Sequence, residues 1–459
     1  MRKFTLLWFG QVISTIGSYM TGFALTLWAW ELSGSATALA LMGFFSSLPG
    51  ILISLFAGII VDRANRKYLI ILGDTIAASS TLTILILYLS GNLAIWHLYI
   101  AAGVNGSFGQ IQGLAYATSI TLLVSPKDYT RANSMCSAIH YGSNIFAPAI
   151  AGALYPIIGL GGILPIDLIT FSVAIVIILW TKIPQPKKRQ RGGEIGHRED
   201  QDIDSRENAP QVPHSQESSV RQKSKVNKLI VFWRELTLGI RYTWKRDSLR
   251  TLLLITALFW LAHDLGGAIS SPMILARSNN NSQVLGAISS AAGISGVTGA
   301  VVLSVWGGTR RRVNGMLFGY MGAGITKTIF GLGQNLNIWL PAQFGSSLNF
   351  PLISSSQNAL WMEAIPSEFQ GRVFAANALV LQSVSAIAAL TAGPLSDRLL
   401  EPAMQSQNIL SLLFAPIFGN DAGAGMALLY TTCAIAMFAV GAVGYLLPQL
   451  SRLEDKVSQ

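Results

Sequence analysis

The sequence predicts an all-α integral membrane fold: twelve transmembrane helices in two six-helix bundles with pseudo-twofold symmetry. Three observations carry that expectation. Apolar residues make up 51% of the 459 and charged residues only 12%, about half the charge of an average soluble domain. Apolar runs near the length needed to cross a bilayer recur along the whole chain. Short basic motifs between those runs appear twice, once in each half.

The first six runs fall at about 5–30, 38–61, 68–89, 96–123, 133–158 and 163–181, and the second six at about 251–274, 284–307, 313–334, 338–362, 373–395 and 425–448. Arg2-Lys3 followed by apolar residues resembles a signal peptide, but the run from Phe4 to Trp30 exceeds the core of about 7–15 residues that such a peptide uses; it reads as the first span. Ends of the fourth, fifth and tenth spans are rich in Gly, Ser and Asn. The two cysteines, Cys136 and Cys433, lie inside apolar runs, which disfavours a disulfide or a thiolate metal site.

Charge placement sets the expected orientation. Between Lys182 and Arg250 lie 16 of the 32 basic and 9 of the 22 acidic residues. With both termini in the cytoplasm, the outward loops hold only Arg277 and Arg398 as cations, with Lys327 inside a span; this is the lysine and arginine asymmetry of inner-face loops. A net charge of +10 distributed in this way does not require a nucleic-acid partner. The division that follows is an N-terminal bundle, 1–181; a largely disordered cytoplasmic linker, 182–228, with too few large apolar side chains to fold; an amphipathic juxtamembrane helix, 229–250, lying on the inner leaflet; a C-terminal bundle, 251–450; and a cytoplasmic tail, 451–459.

Internal duplication is visible in two markers. Asp62-Arg63-Ala64-Asn65-Arg66-Lys67 recurs in weaker form as Gly308-Thr309-Arg310-Arg311-Arg312. Ser125-Pro126-Lys127 through Arg131 recurs as Ile365-Pro366-Ser367 through Arg372. The offsets from Arg66 to Arg311 and from Arg131 to Arg372 are 245 and 241 residues, nearly one spacing, as in transporters built from repeats.

The segment from Gly58 to Lys67 resembles the signature G-x-x-x-D-R-x-G-R-K of the major facilitator superfamily, with Asn65 at the second glycine. Asn tolerates the left-handed backbone better than most residues, so the departure reads as mild. The resemblance implies a cytoplasmic latch made by Gly58, Asp62, Arg63, Arg66, Lys67 and Arg131, with Arg311 and Arg372 as counterparts in the second half. Trp8-Phe9-Gly10-Gln11, Ile166 through Phe171, Pro366 through Phe374 and Gly393-Pro394-Leu395-Ser396-Asp397-Arg398 are similar to the drug-exporter branch that contains macrolide-efflux and enterobactin-exporter proteins. Ala147-Pro148-Ala149-Ile150-Ala151-Gly152 looks like a degraded antiporter motif, with Pro148 and Gly152 kept; a proline kink repacked by small residues would read the same.

The family places its cavity between spans one, four, seven and ten, and these spans carry polar stripes. Gln11, Ser14 and Ser18 mark span one. Asn105, Gln112 and Tyr116 recur on one face of span four, and Trp260, Gln343, Ser347 and Gln357 extend the set into spans seven and ten. Interhelical hydrogen bonding is the competing role for each. Ionisable residues at membrane depth are functional candidates. Asp264 with His263, midway along span seven, is the candidate for proton coupling; Trp260, Gly267 and Ser271 share its helix face. Lys327 reads as a partner for Asp264 or, preferred, as snorkelling outward, His140 as a packing histidine, Asp167 as a cap near the outer end of span six, and Asp74 as support for the latch. No phosphate-binding G-x-x-x-x-G-K-[ST] loop and no histidine–cysteine cluster with metal spacing occurs, so neither an enzyme nor a cofactor is expected. The resemblance then implies a monomeric, multi-pass exporter of the bacterial inner (plasma) membrane. It would move an amphipathic drug, macrolide-like compound or siderophore by proton antiport. A non-transporting sensor or scaffold, or an importer, would share the same fold.

Overall fold

A computed structural model describes residues 2–125, 128–181, 237–406 and 408–455. The expected linker, 182–228, and the start of the amphipathic helix lie outside the described residues. The rest is helical. In order come α1 (Arg2–Ser33), α2 (Ala36–Arg63), α3 (Arg66–Leu89), α4 (Ile95–Leu123) and α5 (Tyr129–Trp180). Residues 237–244 are helical, and then follow α6 (Asp247–Arg277), α7 (Ser282–Trp306), α8 (Arg312–Leu332), α9 (Leu336–Leu348), α10 (Phe350–Ala364) and α11 (Ser367–Leu395). A π-helical turn, Ser396–Leu400, runs on from α11 into α12 (Glu401–Gln405); α13 (Ile409–Phe418), α14 (Ala424–Tyr445) and α15 (Pro448–Asp455) complete the chain.

Twelve crossings follow from these elements. Among the described residues, eight segments are long and apolar enough to cross a membrane by length and composition. One of them, Ser134–Trp180, counts twice, because Gly159 at φ 60° and ψ −169° turns the chain back on itself, a conformation that suits glycine. The remaining three are α4, α8 and the α9–α10 pair. Asn105, Gln110 and Gln112 make α4 more polar, and α9 and α10 are short because the helix is interrupted at Asn349.

Capping residues explain where several spans begin. Ser35 starts α2, its side chain accepting from the Ala38 amide. Asn281 and Asn335 do the same for α7 and α9, satisfying amides that a helix start leaves open. Asn65 belongs to this set: its φ is −73°, and its carboxamide accepts from the Lys67 amide at 3.0 Å. The residue at the motif's second glycine is therefore a helix cap rather than a left-handed turn, so asparagine is accommodated for a reason that the sequence expectation did not supply.

The apolar core is divided unequally along the membrane normal. At the end away from the linker, one cluster runs through both halves, joining Trp30, Leu39 and Tyr155 to Ile274, Leu285 and Trp339. At the linker end the clusters are separate. Leu7, Val61, Leu69 and Ile178 form one in the first half, and Leu249, Leu360, Ile365 and Leu450 form another in the second. Large apolar side chains such as Ile86, Leu89, Val305 and Leu412 remain exposed, as expected of surfaces that face lipid rather than water.

Candidate functional site

The seam between the halves is built from small residues. Ser282 of α7 donates to the Gly152 carbonyl of α5 at 2.9 Å, and Ser290 of α7 donates to the Ile145 carbonyl of α5 at 2.7 Å. A Cβ on Gly286 would press against the Pro148 carbonyl, and one on Gly152 would come within 2.7 Å of the Ser282 carbonyl. Pro148 and Gly152 thus sit where two backbones cross at close range, the geometry that small residues permit.

A second inter-half contact closes the same end. Asp397 lies on the π-helical turn at the end of α11. Its carboxylate accepts from Ser35 Oγ at 2.6 Å and from the Thr37 and Ala36 amides at 2.8 and 3.1 Å. A carboxylate on the open amides of a helix start is stabilised by hydrogen bonding and by the helix dipole. Trp30 adds an indole hydrogen bond to Asn280 at 2.7 Å. Gly393 allows this approach, since a Cβ there would strike the Thr37 backbone.

Two cavities lie inward of that closure. The first, about 390 Å³, lies between the halves. Met42, Phe44 and Ser47 of α2 line one side, Asp264, Gly267 and Ser271 of α6 the other, with Ser385 of α11 beside them. Asp264 therefore reaches an inter-half cavity with two of the three residues expected on its face. The third, Trp260, instead packs edge-on against His263 at 5.0 Å between ring centroids. His263 Nδ1 stands 2.9 Å from Asp264 Oδ1 and makes an edge-on contact with Phe350.

The second cavity, about 480 Å³, lies inside the first half. Gln11, Ser14, Ser18, Gln112 and Tyr116, all expected from the polar stripes, share its wall with Cys136. Its carboxylate is Asp74. Gln112 Nε2 donates to one oxygen at 2.7 Å and Gln11 Nε2 to the other at 3.3 Å. The sequence points to Asp74 as support for the latch; its hydrogen bonds run to the two cavity glutamines instead. Gly73 makes room for this, because a Cβ there would overlap the Gln112 side chain.

Other candidates are placed elsewhere. Asn105 donates to Ser80 Oγ at 3.4 Å, Gln343 to Ser347 Oγ at 3.0 Å, and Gln357 to the Tyr320 hydroxyl. These polar groups of span ten are spent within their own half. Asp167 is no cap: it is 1% exposed and accepts from Thr21 Oγ1 at 2.9 Å and Thr81 Oγ1 at 3.1 Å, tying three helices together. Lys327 does not snorkel. It is 8% exposed, packed under Tyr430 with Nζ 3.4 Å from the hydroxyl and 5.4 Å from the ring centroid. It faces the bundle interior because its helix face is the one α14 covers.

Of the latch residues, Arg66 Nη1 donates to the Thr118 carbonyl at 2.7 Å, and Lys67 Nζ to the Leu179 and Thr181 carbonyls at 2.9 Å. These two cations close the helix ends of α4 and α5, the usual complement to carbonyl-rich termini. Gly58 lies within α2, with open space where a Cβ would be. Arg131 and Arg311 are exposed at the starts of α5 and α8, and Arg372 lies in the first turns of α11 with its carbonyl close to Gly239. The side chains of Asp62, Arg63 and His140 lie outside the described set.

Comparison with known proteins fits this architecture. The chain is 25% identical over 402 residues to macrolide efflux protein A of Streptococcus pyogenes, covering 86% of this chain and 90% of that protein. It is 26% identical over 347 residues to macrolide efflux protein A of Enterococcus faecalis, covering 74% and 95%. Among solved structures, a bacterial homologue of the lysosomal transporter Spinster, in an inward-facing and unoccupied conformation, superposes with a TM-score of 0.65 at 15% identity, over 99% and 98% of the chains. A bacterial ferroportin homologue in an inward-facing state gives 0.62 at 14%, over 96% and 99%. Residues 7–389 match the sequence model described as Major Facilitator Superfamily, and with two helical halves around a shared cavity the chain belongs to that family of membrane transporters.

Proposed function

We propose that this transporter exports amphipathic small molecules, macrolide-like compounds first among them, from the cytoplasm of a bacterium across its inner membrane by proton antiport. Drugs of other classes and siderophores are the next cargoes to test. The observation that carries the reading is a carboxylate, Asp264, on the wall of a cavity between halves whose shared apolar core, among the described residues, lies at one end. The charge asymmetry of the sequence makes the separated end cytoplasmic, so the described conformation opens inward. Resemblance to two macrolide-efflux proteins supplies the cargo class.

In this reading, cargo enters between the separated halves and occupies the inter-half cavity. Breaking the Asp397 contacts with α2 and parting the α5–α7 seam would expose it to the far side. The signature residues Asp62, Arg63 and Arg131 would then form the latch at the cytoplasmic end. Span two and span eleven carry matching sequences, Gly58-x-x-x-Asp62-Arg63 and Gly393-x-x-x-Asp397-Arg398. Each would offer a carboxylate near its C-terminal end to the other's N-terminus, one per conformation. A proton on Asp264 removes a charge whose burial costs several kcal/mol, which links protonation to cavity orientation.

The test is uptake of a macrolide and a siderophore panel into inverted membrane vesicles with and without an imposed proton gradient. Gradient-dependent macrolide uptake is expected. Equal uptake in vesicles lacking the protein would reject the exporter reading.

A further inference from the structure

We propose that the cavity inside the first half is a binding site for an organic cation, with Asp74 as its counter-charge. This rests on the transporter reading and adds a feature of the cargo, a positively charged group.

The case begins with a carboxylate that is 2% exposed, deep in a helical bundle. Such a charge demands a proton, a cation or a dense shell of donors. Its neighbours offer two amides, one on each oxygen. An ionised carboxylate has about four acceptor positions, so capacity remains. Among the described residues lining the cavity, none is Lys, Arg or His. The other titratable groups on its wall are Tyr116 and Cys136, neither of them a cation.

The other buried carboxylate among the described residues, Asp167, and the part-buried Asp264 are engaged differently. The Asp167 carboxylate accepts from Thr21, Thr81 and, at 3.5 Å, Thr170 and lies outside both cavity walls described above. Asp264 has His263 beside it. Only Asp74 among these three combines a negative charge, a cavity of about 480 Å³ and no basic side chain on the wall. That volume is within the range of small-molecule pockets. Tyr116 and Phe171 on the same wall add aromatic surface, which attracts cations with their charge spread over carbon. The glutamines fix the carboxylate's orientation before a ligand arrives, and Gly73 permits the approach of Gln112.

The experiment uses the full chain in nanodiscs of phosphatidylcholine, a lipid without net charge, and radiolabelled tetraphenylphosphonium as probe. Wild type is expected to bind it saturably. Asp74→Asn should weaken binding by about tenfold or more, equivalent to about 1.4 kcal/mol, and Asp74→Glu should restore most of it. In a Cys433→Ser background, bound tetraphenylphosphonium should also slow maleimide labelling of Cys136, a readout that does not depend on the Asp74 variants folding. Unchanged affinity in folded Asp74→Asn would overturn the proposal and leave the carboxylate with a proton alone. So would absence of binding to wild type or of Cys136 protection. Uptake of an uncharged solute by vesicles would continue in each of those cases, so failure here is separable from failure of the exporter reading.

Discussion

Asp74 and Asp167 sit in the first half with amides and hydroxyls as their hydrogen-bond donors, whereas the second half buries a cation of its own. Lys327 lies under Tyr430, within electrostatic range of Asp264, which already has His263 at 2.9 Å. Duplication has kept the helices and the order of crossings but not the charges. The first half presents an acidic socket; the second balances its acid internally. A half with an uncompensated carboxylate suits attraction of a cation. A half whose acid stands on the wall of the inter-half cavity beside His263 suits the coupling role proposed for Asp264.

That contrast can be broken most severely at Asp264. Asp264→Asn is expected to lower gradient-driven export at least tenfold while macrolide binding stays within about twofold, since the amide keeps the shape and loses the proton. Accumulation equal to wild type, with the same dependence on pH, would move coupling out of the second half. Lys327→Met comes next. Removing the buried cation near Asp264 leaves the acid without one of its basic neighbours, so export should fall severalfold and the thermal midpoint should fall with it. An unchanged midpoint would show that Lys327 and Asp264 do not act as a buried pair.

The closure at the far end predicts a smaller, conformational effect. Asp397→Asn removes the charge from the α2 helix start, where such capping is worth about 0.5–2 kcal/mol. Spin labels near Ser33 and Gln405 should then report a longer mean distance, and export should fall a fewfold. An unchanged distance distribution would show that the α5–α7 seam and the Trp30–Asn280 contact hold that end without the Asp397 charge. The smallest effect is expected from the linker: replacing residues 191–220 with Gly and Ser should leave transport within about twofold of wild type.

The crossings were readable in the sequence because a bilayer imposes length and polarity on every helix, and those constraints are local. The expected limits of span two, 38–61, fall inside α2 for that reason. Side-chain partners are not local. Asp74 pairs with residues 63 and 38 positions away, and no periodicity of α3 announces which neighbour will present glutamines. Gln11 and Gln112 are both legible as members of polar stripes, but which acid those stripes face is set by the packing of α1 and α4 against α3. Lys327 illustrates a second gap. The choice between snorkelling and burial turns on which face α14 covers, and composition alone does not contain that packing. Asp397 illustrates a third, since its reach to Ser35 depends on a π-helical turn, a widening at which helices often place functional side chains.

The central claim is exchange of cargo for protons, and simultaneous flux measures it most directly. The purified chain would be reconstituted in liposomes loaded with a macrolide and a pH-sensitive dye, then diluted into macrolide-free buffer without a proton gradient. Macrolide leaving the lumen should draw protons inward, acidifying it in proportion to the efflux, and Asp264→Asn should abolish the acidification. Macrolide efflux by wild type with no change in lumenal pH would contradict the account.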